Sequence, residues 1–416
     1  MATETRVATI SSLPRDGLYS TLWRTPPIRG QAILGLLAQL TQGAGPISIV
    51  LVTRASTGSL AIAGAVTAAM WIAVAVARPV QGRFIDASGS RLVMLVCGPV
   101  HAAALIGLVV AAQARTGAWL LILLSVVAGL ALPPVSAAMR VEWGKRLPPS
   151  ERTAAYSLVY LTQEIALLTG PLLVAVLIAI DSAGLALSVA AGISGAGSIG
   201  FGALSRAGGR SEEPRVPAPR AASAAMPALL GATFLVGGVL GALQVATPAL
   251  ALSRGAPALG GVLIAAMSVG GITGALIYGG RRWTADPSVR LLSLLCIVGS
   301  AATLLALGPP LPVVGVGLAL VGVGLNPVFT TASLLIDRHS GPRAAESFGW
   351  MSTAVGGGTA LGSAAAGALA QSAGVLSAFL AAAIAAYVAV IIAALARGRL
   401  GRLPADRRMS STASRL

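Results

Sequence analysis

Twelve apolar stretches, each close to twenty residues long and parted by short charged punctuation, leave this 416-residue chain few ways to fold. A helix rises about 1.5 Å per residue, so about 20 apolar residues cross a hydrocarbon core of roughly 30 Å with their backbone groups bonded internally. The stretches read as spans at 31–52, 59–80, 92–112, 118–138, 154–180 and 184–203, and again at 228–251, 258–279, 291–308, 313–336, 347–369 and 375–396. The expected fold class is therefore an all-α membrane protein of twelve transmembrane helices. A mean hydropathy of +0.85 with only 10% charged residues agrees, because a soluble chain of this size needs more charge to wet its surface.

The formal charge of +16 invites a nucleic-acid reading, and its distribution removes it. With the N-terminus placed inside, all but three of the 29 Lys and Arg residues fall on the cytoplasmic side; the exceptions are Arg54, Arg115 and Arg254. Basic residues held on the cytoplasmic face are what the positive-inside rule demands. The charge is topology, and no nucleic-acid partner is expected. The first 30 residues carry several arginines and no apolar run, so no cleavable signal is expected before the first span. Both termini are expected in the cytoplasm, the chain crossing a bacterial inner membrane many times. Cys97 and Cys296 both fall in apolar spans with no metal-type spacing, and read as packing.

The longest polar interruption, Ser205 to Ser223, is rich in Pro, Arg and Glu and reads as a linker. The expected organisation is a cytoplasmic segment 1–30, a six-helix bundle 31–203, a linker 204–227, a second bundle 228–396 and a basic tail 397–416 lying along anionic headgroups. The halves look duplicated. Gln42 precedes Pro46 by four residues as Gln244 precedes Pro248, and Ala68-Ala69-Met70 recurs as Ala265-Ala266-Met267. Cys97 and Cys296 hold similar places, and Ala154-Ala155-Tyr156-Ser157 is answered by Ala344-Ala345-Glu346-Ser347. Matches in one order along both halves indicate an internal repeat, a mark of transporter folds.

Between the second and third spans the chain reads Gly82-Arg83-Phe84-Ile85-Asp86-Ala87-Ser88-Gly89-Ser90-Arg91. This resembles the signature loop of the major facilitator superfamily, Gly-x-Leu-x-Asp-Arg-x-Gly-Arg-Arg/Lys. Gly82, Asp86, Gly89 and Arg91 match; Phe84 replaces Leu, and Ala87 and Ser90 replace basic residues. The resemblance extends over 31–396 in span count, linker and loop position, and implies two pseudo-symmetric six-helix bundles. It also implies a conformational gate of Gly82, Asp86, Gly89 and Arg91, with Arg91 or Arg140 as the partner of Asp86. The matching position in the second half, Gly279-Gly280-Arg281-Arg282-Trp283, lacks the acid.

Glu164 is the one carboxylate expected deep in a span, eleven residues after Thr153 and about 16 Å along the helix. Intramembrane acids are costly, and burial penalises the charged form, so such a group suits proton coupling. The bland reading is a fixed acid hydrogen-bonded between the halves. Gly170-Pro171 follows on the same span; it is similar to part of a glycine-rich signature of drug–proton antiporters and is equally a packing kink. In the family, spans one, four, seven and ten line the central cavity, which makes Gln39, Gln42, Gln244 and Asn326 the candidate substrate contacts; interhelical bonding is the alternative. Trp71 and Tyr160 are candidate cavity aromatics. His101 reads as structural, and His339 as a solvated loop residue.

A membrane enzyme needs paired acids, metal-type spacing or an activated nucleophile, and the spans offer too few such groups. No phosphate-binding glycine loop points to ATP. The leading expectation is a monomeric proton-coupled exporter of small, moderately apolar molecules, using no cofactor beyond the proton gradient. A transporter of a neutral metabolite such as a sugar, and a sensor or scaffold without transport, are the alternatives.

Overall fold

The structure, a computed structural model, describes residues 18–205, 220–256 and 259–401. Among these residues the regular structure is all helix, with no strand. A short helix, Leu18–Arg24, precedes the spans. The first span is Pro26–Ala38 and Leu40–Thr57, the second Leu60–Ser88, the third Ser90–Gln113, and the fourth Ala118–Leu130 and Val135–Arg146. The fifth and sixth are Arg152–Ile180 and Ala183–Leu204. Then follow the seventh at Arg220–Ser253, the eighth at Leu259–Gly280, the ninth at Pro287–Ala306 and the tenth at Leu311–Ser340. The eleventh is Ala344–Ala373 and the twelfth Val375–Leu400, so the long apolar stretch Leu311–Ala373 is two helices joined by the turn Gly341–Arg343.

Several spans outrun the expected boundaries, most of them at the end that carries Gly82–Arg91, called here the motif end. The second span continues through Asp86, so the expected loop shrinks to a turn at Gly89. That turn has φ of 84°, a conformation that L side chains rarely adopt. The fourth span breaks after Leu130 at Pro133-Pro134 and resumes to Arg146. The first span starts at Pro26 and breaks at Gln39, and the seventh starts at Arg220, so 220–227 is helix rather than linker. Residues 206–219 of the expected linker, the tail beyond 401 and residues 1–17 lie outside the described residues. At the opposite end the turns are tight. Gly58 closes the first span in the left-handed region, and the Ser59 hydroxyl accepts from the Ile62 amide at 3.3 Å to open the second.

The packing pattern repeats with a period of six spans. Span one packs on five and six, two on four, and three on four and six; seven packs on eleven and twelve, eight on ten, and nine on ten and twelve. The halves meet chiefly where span two lies along eleven and span five along eight, two contacts exchanged by the same period. This is the pseudo-two-fold arrangement of two six-helix bundles. Large apolar side chains turn outward on the rim, as Leu395 does at 82% exposure, which suits a hydrocarbon surround.

Candidate functional site

At the motif end the halves are bolted together. The second span ends beside the start of the eleventh, and the Asp86 carboxylate accepts from the Ala345 amide at 3.0 Å and the Glu346 amide at 2.9 Å. An anion at a helix N-terminus meets both the unpaired amides and the positive end of the helix dipole. Neither Arg91 nor Arg140 partners Asp86. Arg91 is exposed, and Arg140 lies under aromatic rings from both halves, 4.7 Å from the Tyr160 ring centre and 5.3 Å from that of Phe348. Helix-end amides stand where an arginine partner was expected. Gly82 lets the helices approach so closely that a Cβ there would run into the Ala345 carbonyl, and one at Gly349 would strike that of Arg78.

Three further contacts reinforce this closure, and sequence reasoning named none of them. Arg83 donates to Glu346 at 2.8 Å. Arg152, opening span five, pairs at 2.8 Å with Asp337 near the end of span ten. Tyr19, on the helix before span one, reaches across to donate to the Ala275 carbonyl at 2.7 Å. A usable signal existed: Tyr156 and Glu346 are mates in the repeated tetrads, and both lie at this closure. His339 is also not a solvated loop residue. It is buried in the tenth span, its Nδ1 2.8 Å from the Leu335 carbonyl.

Deeper between the halves, Tyr160 and Ser333 hydroxyls lie 3.1 Å apart, and Tyr160 stacks on Phe329. One turn further along span five, the Asn326 amide donates to Glu164 Oε1 at 3.3 Å. Ser268 of span eight also meets that carboxylate, and Gly271 leaves the space in which it sits. Glu164 thus touches three spans, five, eight and ten. Beyond it, among the described residues, no hydrogen bond crosses the halves. There Leu168, Leu172 and Gln244 are exposed, so the halves part toward the opposite end.

The polar candidates are not all gathered at one point. Gln39 caps the break in span one, fully buried; its amide donates to the Gly35 carbonyl at 3.0 Å, and its carbonyl accepts from Ser136 at 3.1 Å. It is committed to holding spans one and four. Gln42 is half-buried and Gln244 exposed, and neither side chain makes a hydrogen bond among the described residues. His101 is structural, bonded to the Ala128 carbonyl at 2.7 Å and to Thr41 at 3.0 Å. Trp71 is 38% exposed.

The Major Facilitator Superfamily family model matches residues 32–348. The chain belongs to the major facilitator superfamily. The superfamily fold places it among secondary transporters, multi-pass proteins of the membrane that move small molecules. Among solved structures, a bacterial homologue of the iron transporter ferroportin in the outward-facing state is similar at a TM-score of 0.70 and 16% identity, over 89% of this chain and 99% of that one. The transporter FucP in the outward conformation is similar at 0.70 and 14%, over 91% and 99%. The human organic anion transporter MFSD10 (TETRAN) is similar at 0.69 and 16%, over 88% and 98%. No curated protein matches the sequence. At these identities the likeness carries the fold and leaves cargo open.

Proposed function

We propose that this superfamily member is a proton-coupled exporter of small, moderately apolar molecules, working by alternating access. In this reading it is a monomer in the bacterial inner membrane with both termini cytoplasmic, and the motif end faces the cytoplasm. The observation that carries the reading is Glu164: among the described residues it is the one carboxylate on the middle turns of a span, and it bridges the halves through Asn326. Ionised, Glu164 accepts a charge-assisted bond from Asn326, stronger than a neutral one. Protonated, it holds Asn326 less tightly. A proton arriving from the open end therefore loosens one tie between spans five and ten, and its release restores that tie. Binding energy that differs between two conformations is what couples an ion to a conformational cycle.

Gln42, Gln244 and Asn326 are the proposed substrate contacts, with Gln39 supporting them from behind. Gly82, Asp86 and Gly89 form the cytoplasmic gate. Export is favoured by Gly170-Pro171 on span five, where Gly170 sits against the Gly43–Ala44 backbone of span one beside Gln42. The energy source is the proton gradient, with no cofactor.

The test is proton flux in everted vesicles bearing the wild type or Glu164→Gln, challenged with lipophilic cations, antibiotics and sugars. The expected result is substrate-triggered proton efflux that Glu164→Gln abolishes. An unchanged rate and pH profile in that variant would sink the coupling role.

A further inference from the structure

Arg140 is a buried charge at the motif end that has neither an ion pair nor a hydrogen bond among the described residues. Its side chain is 3% exposed, and its Nε is buried without a hydrogen-bond partner. The carboxylates around it are engaged elsewhere. Glu142 takes Arg146 at 2.9 Å and the Ser90 hydroxyl at 3.0 Å, and Asp337 takes Arg152. Asp86 takes the amides of span eleven, Glu346 takes Arg83, and Glu164 takes Asn326. What holds the guanidinium instead is a pair of ring faces, Tyr160 from its own half and Phe348 from the other. A buried cation with no counter-charge is expensive, and proteins supply a partner or a use for it.

We propose that Arg140 is an anion-recognition group, and that the substrate class is an organic carboxylate with an apolar body. The proposal rests on the alternating-access reading above. Arg140 and Tyr160 both belong to the first half, so they stay together when the gate opens. Phe348 and Ser333 belong to the second half and leave with it. The guanidinium then loses one of its two ring faces and stands at the wall of a cleft open at the motif end. A planar guanidinium matches a carboxylate with two parallel N–H···O bonds, and the freed Tyr160 face accepts an apolar or aromatic body beside it. Binding the acid replaces the Phe348 face with a true counter-charge. An empty carrier recloses on Phe348, which gives the site two alternative partners for one cation.

The test uses the purified full chain in detergent and follows thermal unfolding with benzoate, salicylate and decanoate. Each acid is set against its neutral amide. The expected result is saturable stabilisation of the wild type by at least one acid and none by its amide. Arg140→Gln should lose that stabilisation. Arg140→Lys, which keeps the charge and loses the two-pronged fork, should weaken it, and it serves as the variant of record if Arg140→Gln does not fold. Glu164→Gln should keep it. No shift with any acid, an equal shift with the amides, or full retention in both Arg140 variants overturns the proposal. Acid binding that persists in Glu164→Gln while proton flux also persists removes the coupling reading and leaves Arg140 standing.

Discussion

Three carboxylates at three depths carry different work. Asp86 holds the closed motif end by accepting at both carboxylate oxygens, so Asp86→Asn should lose one of the two amide bonds and also the charge–dipole attraction, the latter about 0.3–1 kcal/mol and up to about 2 when partly buried. Spin-label distances between the motif ends of spans two and eleven should then show a larger open fraction; an unchanged distribution would mean that the charge is idle. Asp286, just before span nine, is a pH reporter. Burial alone would push its carboxyl up, but bonds from Ser288 and the Arg338 guanidinium, 3.0 Å away, outweigh it and hold it below the usual range. A depressed carboxyl stabilises the fold above its unfolded value near ~3.9, and that contribution is lost as pH falls through the folded value. The pair is partly exposed, so Asp286→Asn should cost at most about 1 kcal/mol at neutral pH, with the difference from wild type vanishing in acid. Glu164 was legible beforehand as the lone deep acid. Its partner was not, because Asn326 lies 162 positions away and belongs to the other bundle.

Helices are where sequence reading did best and where its edges failed. Each span was found from apolar length, because the bilayer fixes that length. The motif-end turns of spans two, four and ten were missed, since their charged residues end the apolar runs while packing on neighbouring spans keeps them helical. The breaks at Gln39 and at Pro133-Pro134 were also missed. Proline removes a backbone donor and so accounts for the second break; Gln39 looks like an ordinary helical residue, and its break shows only in the bonds it makes. Close helix approach gives a further prediction. Gly82→Ala places a methyl against the Ala345 carbonyl, and overpacking of this kind costs on the order of 1–3 kcal/mol. The closed gate should therefore be depopulated, read as faster thiol labelling of a cysteine introduced at Ser333; labelling at the wild-type rate would show that the second and eleventh spans have room to give.

For the whole molecule, the repeat in the sequence and the six-span period of the packing tell one story. The duplicated tetrads and the Gln–Pro spacings anticipated it. The ion pairs that close the halves were illegible for a plain reason: Arg152 and Asp337 are 185 positions apart and come from different bundles. Removing both charges should cost less than the two single losses added together. A double-mutant cycle of Arg152→Gln and Asp337→Asn should give a coupling of about 0.5–3 kcal/mol, measured as gate population; strict additivity would place the pair outside the gate.

The seam between spans seven and eleven has a consequence for heredity. Gly237 faces the Val355 backbone, Gly241 that of Thr359, Gly358 that of Phe234 and Gly362 that of Gly238, each with no room for a Cβ. Every amino-acid replacement at these four positions adds at least one carbon, so all of them push the same way. A library of single substitutions selected for function should return four silent positions in this seam, bordered by lipid-facing neighbours such as Leu361 that accept many exchanges. Drift in this lineage can recolour the rim freely while the tightest helix seam of the second half stays locked to one letter.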